Sequence, residues 1–424
     1  MIRNLRWWIG GLLFASTVIN YIDRQTLSVL APFLKDQYHW TNEDYGTILL
    51  AFRVAYTIMQ MVSGRFIDWM GTRRGLSITV TWYSVVAMLT SGVQGIMSFR
   101  VFRFLLGMGE AANWPGAAKA VAEWFPDRER AWAVAMFDSG SSVGGAVAPF
   151  LVLFLFRTFG SWRPAFIITG SLGFLWLVAW RILYRPPQKH PRISPGELEY
   201  IRQGQASATP VDGKENVGWS TLLRYRQAWG IIIGRTLLDP YWFLIAEWFG
   251  IYLVSKGIKP EDSVMAFWVP FMAGDLGNFF GGGLSSFWIK RGWPVGKARR
   301  AVLWIFGPSM LLLIPAAFAS NKLVLVGLIG YATFAYAACS TMFLSLPADV
   351  FQSRAVASVS GLSGTGAGIG TLISTYLIAR VSTRYSFQPI IIAASIIPCV
   401  ATLIFVTMVR RGKKPDPNGL LQEF

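Results

Sequence analysis

Charge is what this chain has least of. Only 14% of its 424 residues are Asp, Glu, Lys or Arg, against about 25% in a soluble globular chain. The length alone would allow two or three soluble domains, but surfaces that met water on every side would need more charge. Histidine is almost missing: His39 and His190 are the two copies, and both fall in loops. No metal-ligand spacing, nucleophile–base pair or phosphate-binding loop occurs. These shortages argue against an enzyme and against a bound metal or organic cofactor. Cysteine is limited to Cys339 and Cys399, each inside an apolar run. They read as small packing residues, and no disulfide framework is implied.

What the chain does have is hydrophobicity, 53% of its residues, gathered into runs near the ~20 residues that cross a bilayer core. The pattern predicts helices at roughly 7–33, 45–68, 76–97, 100–124, 131–157, 162–184, 227–255, 264–290, 299–319, 322–349, 354–381 and 386–410. The N-terminal MIRNLRWW starts like a signal peptide. No small-residue cleavage site follows, and Asn20, Asp23 and Arg24 interrupt the run, so it reads as a retained first span. A polar stretch from Arg185 to Gln227, with Pro186, Pro187, Pro191, Pro195 and Pro210, separates six spans from six. The expected architecture is an all-α membrane protein of twelve transmembrane helices in two six-helix bundles. Residues 1–185 form the first bundle, 186–226 a cytoplasmic linker and 227–424 the second. Such a 6+6 layout belongs to carriers built from related halves.

The formal net charge is +17. Its basic residues stand between the apolar runs, with no basic helix or aromatic platform, so topology and not nucleic acid explains them. Arg73, Arg74, Arg128, Arg130, the linker, the 290–300 loop and the tail residues Arg410, Arg411, Lys413 and Lys414 all fall on one side. That side is expected to be the cytoplasm, with both termini inside. The expected partners are the lipid bilayer of the inner membrane and a small carboxylate substrate, with the protein itself a monomer.

Between the second and third spans the chain reads GRFIDWMGTRRG, Gly64 to Gly75. Glycine permits a tight turn and close helix approach. Asp68 can meet a helix N-terminus or a basic side chain, while Arg73 and Arg74 face the cytoplasm. This segment resembles the signature of the major facilitator superfamily. A degraded echo, GGLSSFWIKRG from Gly282 to Gly292, places Ser286 where the acid would be, which suggests a weaker latch in the second half. Asp68, Arg73 and Arg74 are thus gating candidates. A closer resemblance runs through NYIDRQTLSVLAP, RFLLGMGEAANWPG and EWFPDRERAWAVAMFDSGSSVGGAVAP. These look like the anion:cation symporter family, which includes hexuronate and galactonate transporters, vesicular glutamate transporters and sialin. The later segments SWRPAFIITGSLGFLWLVAW, RYRQAWGI and SLPADVF look most like hexuronate carriers.

Charges within spans cost about 2.5–3.5 kcal/mol each on insertion scales, and they face a bundle interior or a watery cavity. Here they include Asp23, Arg24, Arg53, Arg100, Arg103, Glu110, Lys119, Asp138, Arg235, Asp239, Glu247 and Asp275. Helical spacing brings Asn20 and Arg24 close to one face, with Asp23 about 100° round. Arg53, Tyr56 and Gln60 make a second stripe, Arg103 and Glu110 a third, and Arg235, Asp239 and Trp242 a fourth, beside the kink-forming Pro240. A guanidinium grips a carboxylate through a forked donor set. Arg24 is the nominated substrate-carboxylate ligand, and the resemblance implies the same role for it. Arg235 matches the family's seventh-span arginine. Arg53 and Tyr56 are candidates from their stripe alone, and Trp242 can stack on a sugar ring. Arg103, Asn20 and Gln60 would support the site. The blander alternative is internal neutralisation: Arg24 by Asp23, Arg103 by Glu110, Arg235 by Asp239.

The acids point to a proton as coupling ion. Protonating Asp23 and Glu110 would release Arg24 and Arg103, so that proton entry and anion binding favour each other; the resemblance implies both acids in coupling. Asp138, Asp239, Glu247 and Asp275 are assigned only local pairing. In galactonate and glutamate carriers an asparagine stands in the eleventh span, in a pattern like GISN. This chain reads GLSG, Gly361 to Gly364, as hexuronate carriers tend to, and the glycines that follow read as helix packing. The function expected is therefore proton-coupled symport of a hexuronate such as glucuronate or galacturonate. Alternatives are an aldonate or dicarboxylate symporter, or a proton/drug antiporter, which would need buried acids without converging arginines. A non-transporting sensor would need a signalling domain for which the linker and tail are too short.

Overall fold

The structure is a computed structural model that describes residues 3–40, 42–204, 217–249, 252–253, 256–257, 264–409 and 419–422. The middle of the predicted linker, the end of the seventh predicted span and the tail arginines and lysines from Arg410 to Lys414 lie outside the described residues.

Helices account for nearly all of it. They are α1 (Leu5–Tyr38), α2 (Asn42–Met70), α3 (Thr72–Leu89), α4 (Ile96–Glu110), α5 (Asn113–Trp124), α6 (Asp127–Phe159) and α7 (Arg163–Leu183). Two short helices follow, α8 (Pro195–Gln203) and α9 (Trp219–Leu222). The second half has α10 (Arg226–Leu238), α11 (Pro240–Phe243), α12 (Val264–Lys290), α13 (Val295–Ser309), α14 (Ile314–Phe318), α15 (Lys322–Val350), α16 (Ser353–Arg384) and α17 (Gln388–Met408). Among the described residues the sole β pairing is an isolated bridge between Phe351 and Leu421.

Seven stretches of the described residues are long and apolar enough to cross a membrane by themselves. Other predicted spans fall short for visible reasons. Asp23 and Arg24 sit inside α1. The predicted 100–124 helix breaks at Ala111 and Ala112 into α4 and α5, where Pro115 has no N–H to donate to the Ala111 carbonyl. The predicted seventh span breaks at Asp239 before Pro240, and a π turn over Leu244–Trp248 follows, the sort of irregularity often found at functional sites.

The chain divides into two compact units. The first comprises Met1–Pro126, Met136–Gln205 and Ser353–Leu362; the second comprises Asp127–Ala135, Ala206–Gln352 and Ser363–Phe424. The start of α6 therefore counts with the second unit and the start of α16 with the first. Within the first unit, α2 packs on α4 and α3 on α7. Gly107 of α4 lies so close to α2 that a Cβ there would stand 2.6 Å from the Phe52 carbonyl oxygen. That approach, with small residues at the seam, sets Glu110 one turn further along α4 level with Phe52 and Tyr56 of α2. Within the second unit Gly366 and Gly370 of α16 lie against Thr236 of α10, so those glycines make a helix seam.

Candidate functional site

The first unit gathers its charges around Arg24. The Glu110 carboxylate takes Arg24 Nε at 3.2 Å and Nη2 at 3.0 Å, both on Oε2. Nη2 also donates to Asn20 Oδ1 at 3.2 Å, one turn back on α1. Three rings close on the guanidinium carbon: Tyr21 at 4.8 Å, Phe52 at 4.9 Å and Tyr56 at 4.8 Å. Such contacts stabilise a cation where water is scarce. Glu110 is fully buried, yet the Arg24 side chain keeps 24% of its surface exposed. The cation is held and not sealed away.

The observed pairing differs from both internal pairs named in the sequence for this half. Arg24 bonds Glu110 and not Asp23, because Asp23 points to another face of α1. Arg103 of α4 donates to the backbone carbonyl of Arg24 at 3.3 and 3.4 Å, not to Glu110. Neither Asp23 oxygen has a hydrogen bond of normal geometry, although Glu110, Arg103 and the Thr169 hydroxyl act on it. Glu110 Oε1 is buried without a partner as well. Arg53 is half-buried and close enough to Arg24 for their charges to repel. The predicted stripe of α2 is divided: Tyr56 faces Arg24, whereas Gln60 is buried and its backbone meets Gly361. Tyr21 and Phe52 were missed by sequence reasoning. Tyr21 stands one position from Asn20, and an aromatic beside each polar position was the available signal.

The second unit holds a smaller constellation. Arg235 Nη2 donates to Asp239 Oδ2 at 2.7 Å, the local pair expected at i, i+4, and Nη1 donates to Ser363 Oγ at 3.2 Å. Ser363, the third residue of GLSG, was not singled out. Trp242 stacks on Tyr336 with 6.4 Å between ring centroids, and Phe271 meets it edge-on at 5.5 Å. Tyr241 stacks on the same Tyr336 and bonds Thr333 through its hydroxyl at 3.2 Å. Asp138 and Asp275 are half-buried, and the Glu247 side chain lies outside the described residues.

Two further charge clusters occupy loop-proximal ends. In the first unit Asp68 pairs with Lys119 Nζ at 2.8 Å and accepts the Ser358 backbone N–H at 2.6 Å. Arg74 is exposed, and Arg73 donates to the Arg181 carbonyl. In the second unit Ser286 is buried with its hydroxyl unpartnered, and a separate cluster forms around an acid on another helix. Asp349 of α15 takes Arg299 Nε at 2.8 Å and lies 3.5 Å from Arg130 Nη1. Arg130 also pairs with Asp127 at 2.7 Å and donates to the Ala348 carbonyl at 2.7 Å. Motif spacing did not point to Asp349, and Ser286 remains the residue at the echo's acid position. Asp349→Asn takes from the fully buried Arg299 its carboxylate partner and leaves Arg130 with Asp127. Hydrogen bonds to charged groups are worth about 1.5–3 kcal/mol each, so the variant should unfold several degrees lower in a detergent thermal melt. An unchanged midpoint would show the cluster to be energetically idle.

Residues 13–375 match the Major Facilitator Superfamily. The chain is 31% identical over 417 residues to a hexuronate transporter of Escherichia coli K12, covering 96% of this chain and 95% of that one. It is 35% identical over 282 residues to a galacturonate transporter of Dickeya chrysanthemi, covering 66% of this chain and 81% of the relative. Its fold is similar to the proton:xylose symporter XylE solved with 6-bromo-6-deoxy-D-glucose. The TM-score is 0.74 at 11% identity, with 97% of each chain covered.

Proposed function

The chain belongs to the major facilitator superfamily, and from that premise we propose that it carries a hexuronate such as glucuronate or galacturonate across the inner membrane by proton-coupled symport. It is a multi-pass membrane transporter and not an enzyme. The names of its relatives, hexuronate and galacturonate transporters, support the substrate class. So does GLSG, which lacks the asparagine of the galactonate and glutamate carriers.

One observation carries the reading: Arg24 is caged by three rings and by Glu110 while part of its surface stays open. A binding cation must exchange one anion for another, and the open part of Arg24 gives an incoming carboxylate access to it. In this mechanism Glu110 is the resident anion. Its protonation removes the charge from Oε2 and frees the forked guanidinium for the substrate's carboxylate. Asp23, a buried acid with no hydrogen bond of normal geometry to either oxygen, is costly as an anion and is the second proton position. In the second unit, Arg235 is a further candidate substrate ligand, and Trp242 offers an apolar face to a sugar ring. Asp68, Arg73 and Arg74 take part in gating as the halves alternate, with both termini cytoplasmic and the chain a monomer. The proton is the coupling ion, and no other cofactor is needed.

A thermal-shift screen of the purified protein tests the substrate class. A ligand at a hundred times its Kd adds about 2.7 kcal/mol to stability. Glucuronate or galacturonate should therefore raise the midpoint by a few degrees, with galactonate and dicarboxylates near baseline. Stabilisation by an aldonate or dicarboxylate alone would move the protein to another organic anion. A response only to organic cations would overturn the anion reading in favour of drug antiport.

A further inference from the structure

On the outer face of the first unit, α3, α4 and α7 enclose a groove of about 690 Å³. Its walls include Ile78, Trp82, Val85 and Leu89 of α3 and Leu177 of α7. Four of these are conspicuously open: Ile78 is 48% exposed, Trp82 45%, Val85 40% and Leu89 56%. Trp82 is fixed across the groove, because its indole N–H donates to the Leu105 carbonyl of α4 at 2.9 Å. From Ile78 to Leu89 the helix rises about 16 Å, close to one leaflet's half of a ~30 Å hydrocarbon core.

The groove is charged at one end only. Arg181 lines it there, and α3 and α7 run antiparallel, so their arginines meet. Arg73 Nη2 donates to the Arg181 carbonyl, and the Trp180 indole donates to the Arg73 carbonyl at 3.2 Å. Arg74, Arg181 and Arg185 are all close enough to Arg73 to repel it. Among the described residues none of these four arginines has an acid within ion-pairing distance. Four uncompensated cations above an apolar slot one leaflet long have the chemistry of a lipid with a negative head. A zwitterionic head would bring a cation of its own against the same arginines. Basic pockets between transmembrane helices are known to take anionic headgroups.

We propose that this groove binds one acyl chain of an anionic phospholipid whose phosphate is held by Arg73, Arg74, Arg181 and Arg185. The site is separate from the Arg24 cage and stands whatever the substrate is.

Native mass spectrometry of the purified full chain, titrated with phosphatidylglycerol or phosphatidylcholine of matched chains, tests it. Wild type should retain phosphatidylglycerol at about tenfold lower concentration than phosphatidylcholine. The double variant Arg181→Gln, Arg185→Gln should bring the two lipids within about twofold of each other. Val85→Trp fills the slot, leaves the arginines in place and should lower retention of both lipids several-fold. Glycerophosphate, a head without a chain, should displace neither. Equal retention by wild type needs no variant to interpret and would overturn the proposal. So would a preference that survives the double variant, or retention untouched by Val85→Trp. Displacement by glycerophosphate would reduce the site to a simple anion patch. A dimer that Val85→Trp dissociates, with no lipid retained, would assign the face to a second copy of the chain.

Discussion

Arg24→Gln is expected to reduce saturable hexuronate uptake into proteoliposomes to the background of empty vesicles. The forked guanidinium would make two charge-assisted hydrogen bonds to the substrate carboxylate. At about 1.5–3 kcal/mol each, their loss weakens binding by at least a hundredfold. Glutamine keeps much of the length and polarity but has no charge to attract the anion. It also leaves Tyr21, Phe52 and Tyr56 around a neutral group. Arg24→Lys tests whether charge alone suffices. An ammonium is a point charge without the planar fork, and it cannot span Glu110 Oε2 and Asn20 Oδ1 as Nε and Nη2 do. Lysine should restore little of the rate. Uptake by Arg24→Gln at more than a tenth of the wild-type rate would remove Arg24 as the carboxylate ligand, provided the variant melts near wild type.

The helices were legible because hydropathy and helical length are local properties. The predicted run at 264–290 coincides with α12, Val264–Lys290, and the run at 322–349 stops one residue short of α15. Breaks were harder, since they rest on single backbone donors: the kink at Pro240 was legible from the proline, whereas the break before Pro115 was not. The site divides along the same line. Arg235 and Asp239 are four apart on one helix, so their pairing could be read from spacing. Arg24 and Glu110 are separated by 86 positions. Periodicity gave each a face but could not say which faces meet; that depended on the seam at Gly107. The acid of the second-unit cluster was missed for a related reason. Ser286 fills the motif position, whereas Asp349 lies on a different helix and pairs with Arg299, 50 positions away. The aromatic cage was invisible too, because Tyr21 and Phe52 are unremarkable among so many rings in a membrane chain.

Glu110→Gln is expected to separate accumulation from exchange. With a proton gradient imposed, wild-type proteoliposomes should concentrate the substrate well above the bath, whereas the variant should stop at equal concentrations. Counterflow, in which internal unlabelled substrate drives entry of labelled substrate, should persist. Glutamine is nearly isosteric with a protonated glutamate, so it imitates the form of the site in which Arg24 has no resident anion. The side chain now ends in a neutral amide, and the guanidinium is free for the substrate at every pH. Binding should therefore hold its affinity as pH rises, while the wild-type affinity should fall as Glu110 ionises and competes for Arg24. This direction follows from linkage: a proton that helps an anion bind must itself bind more tightly when the anion is present. The variant has broken the link and kept the ligand. Full accumulation by Glu110→Gln would place coupling on Asp23 or elsewhere. Loss of counterflow together with accumulation would make Glu110 a structural anchor of Arg24, with no part in carrying the proton.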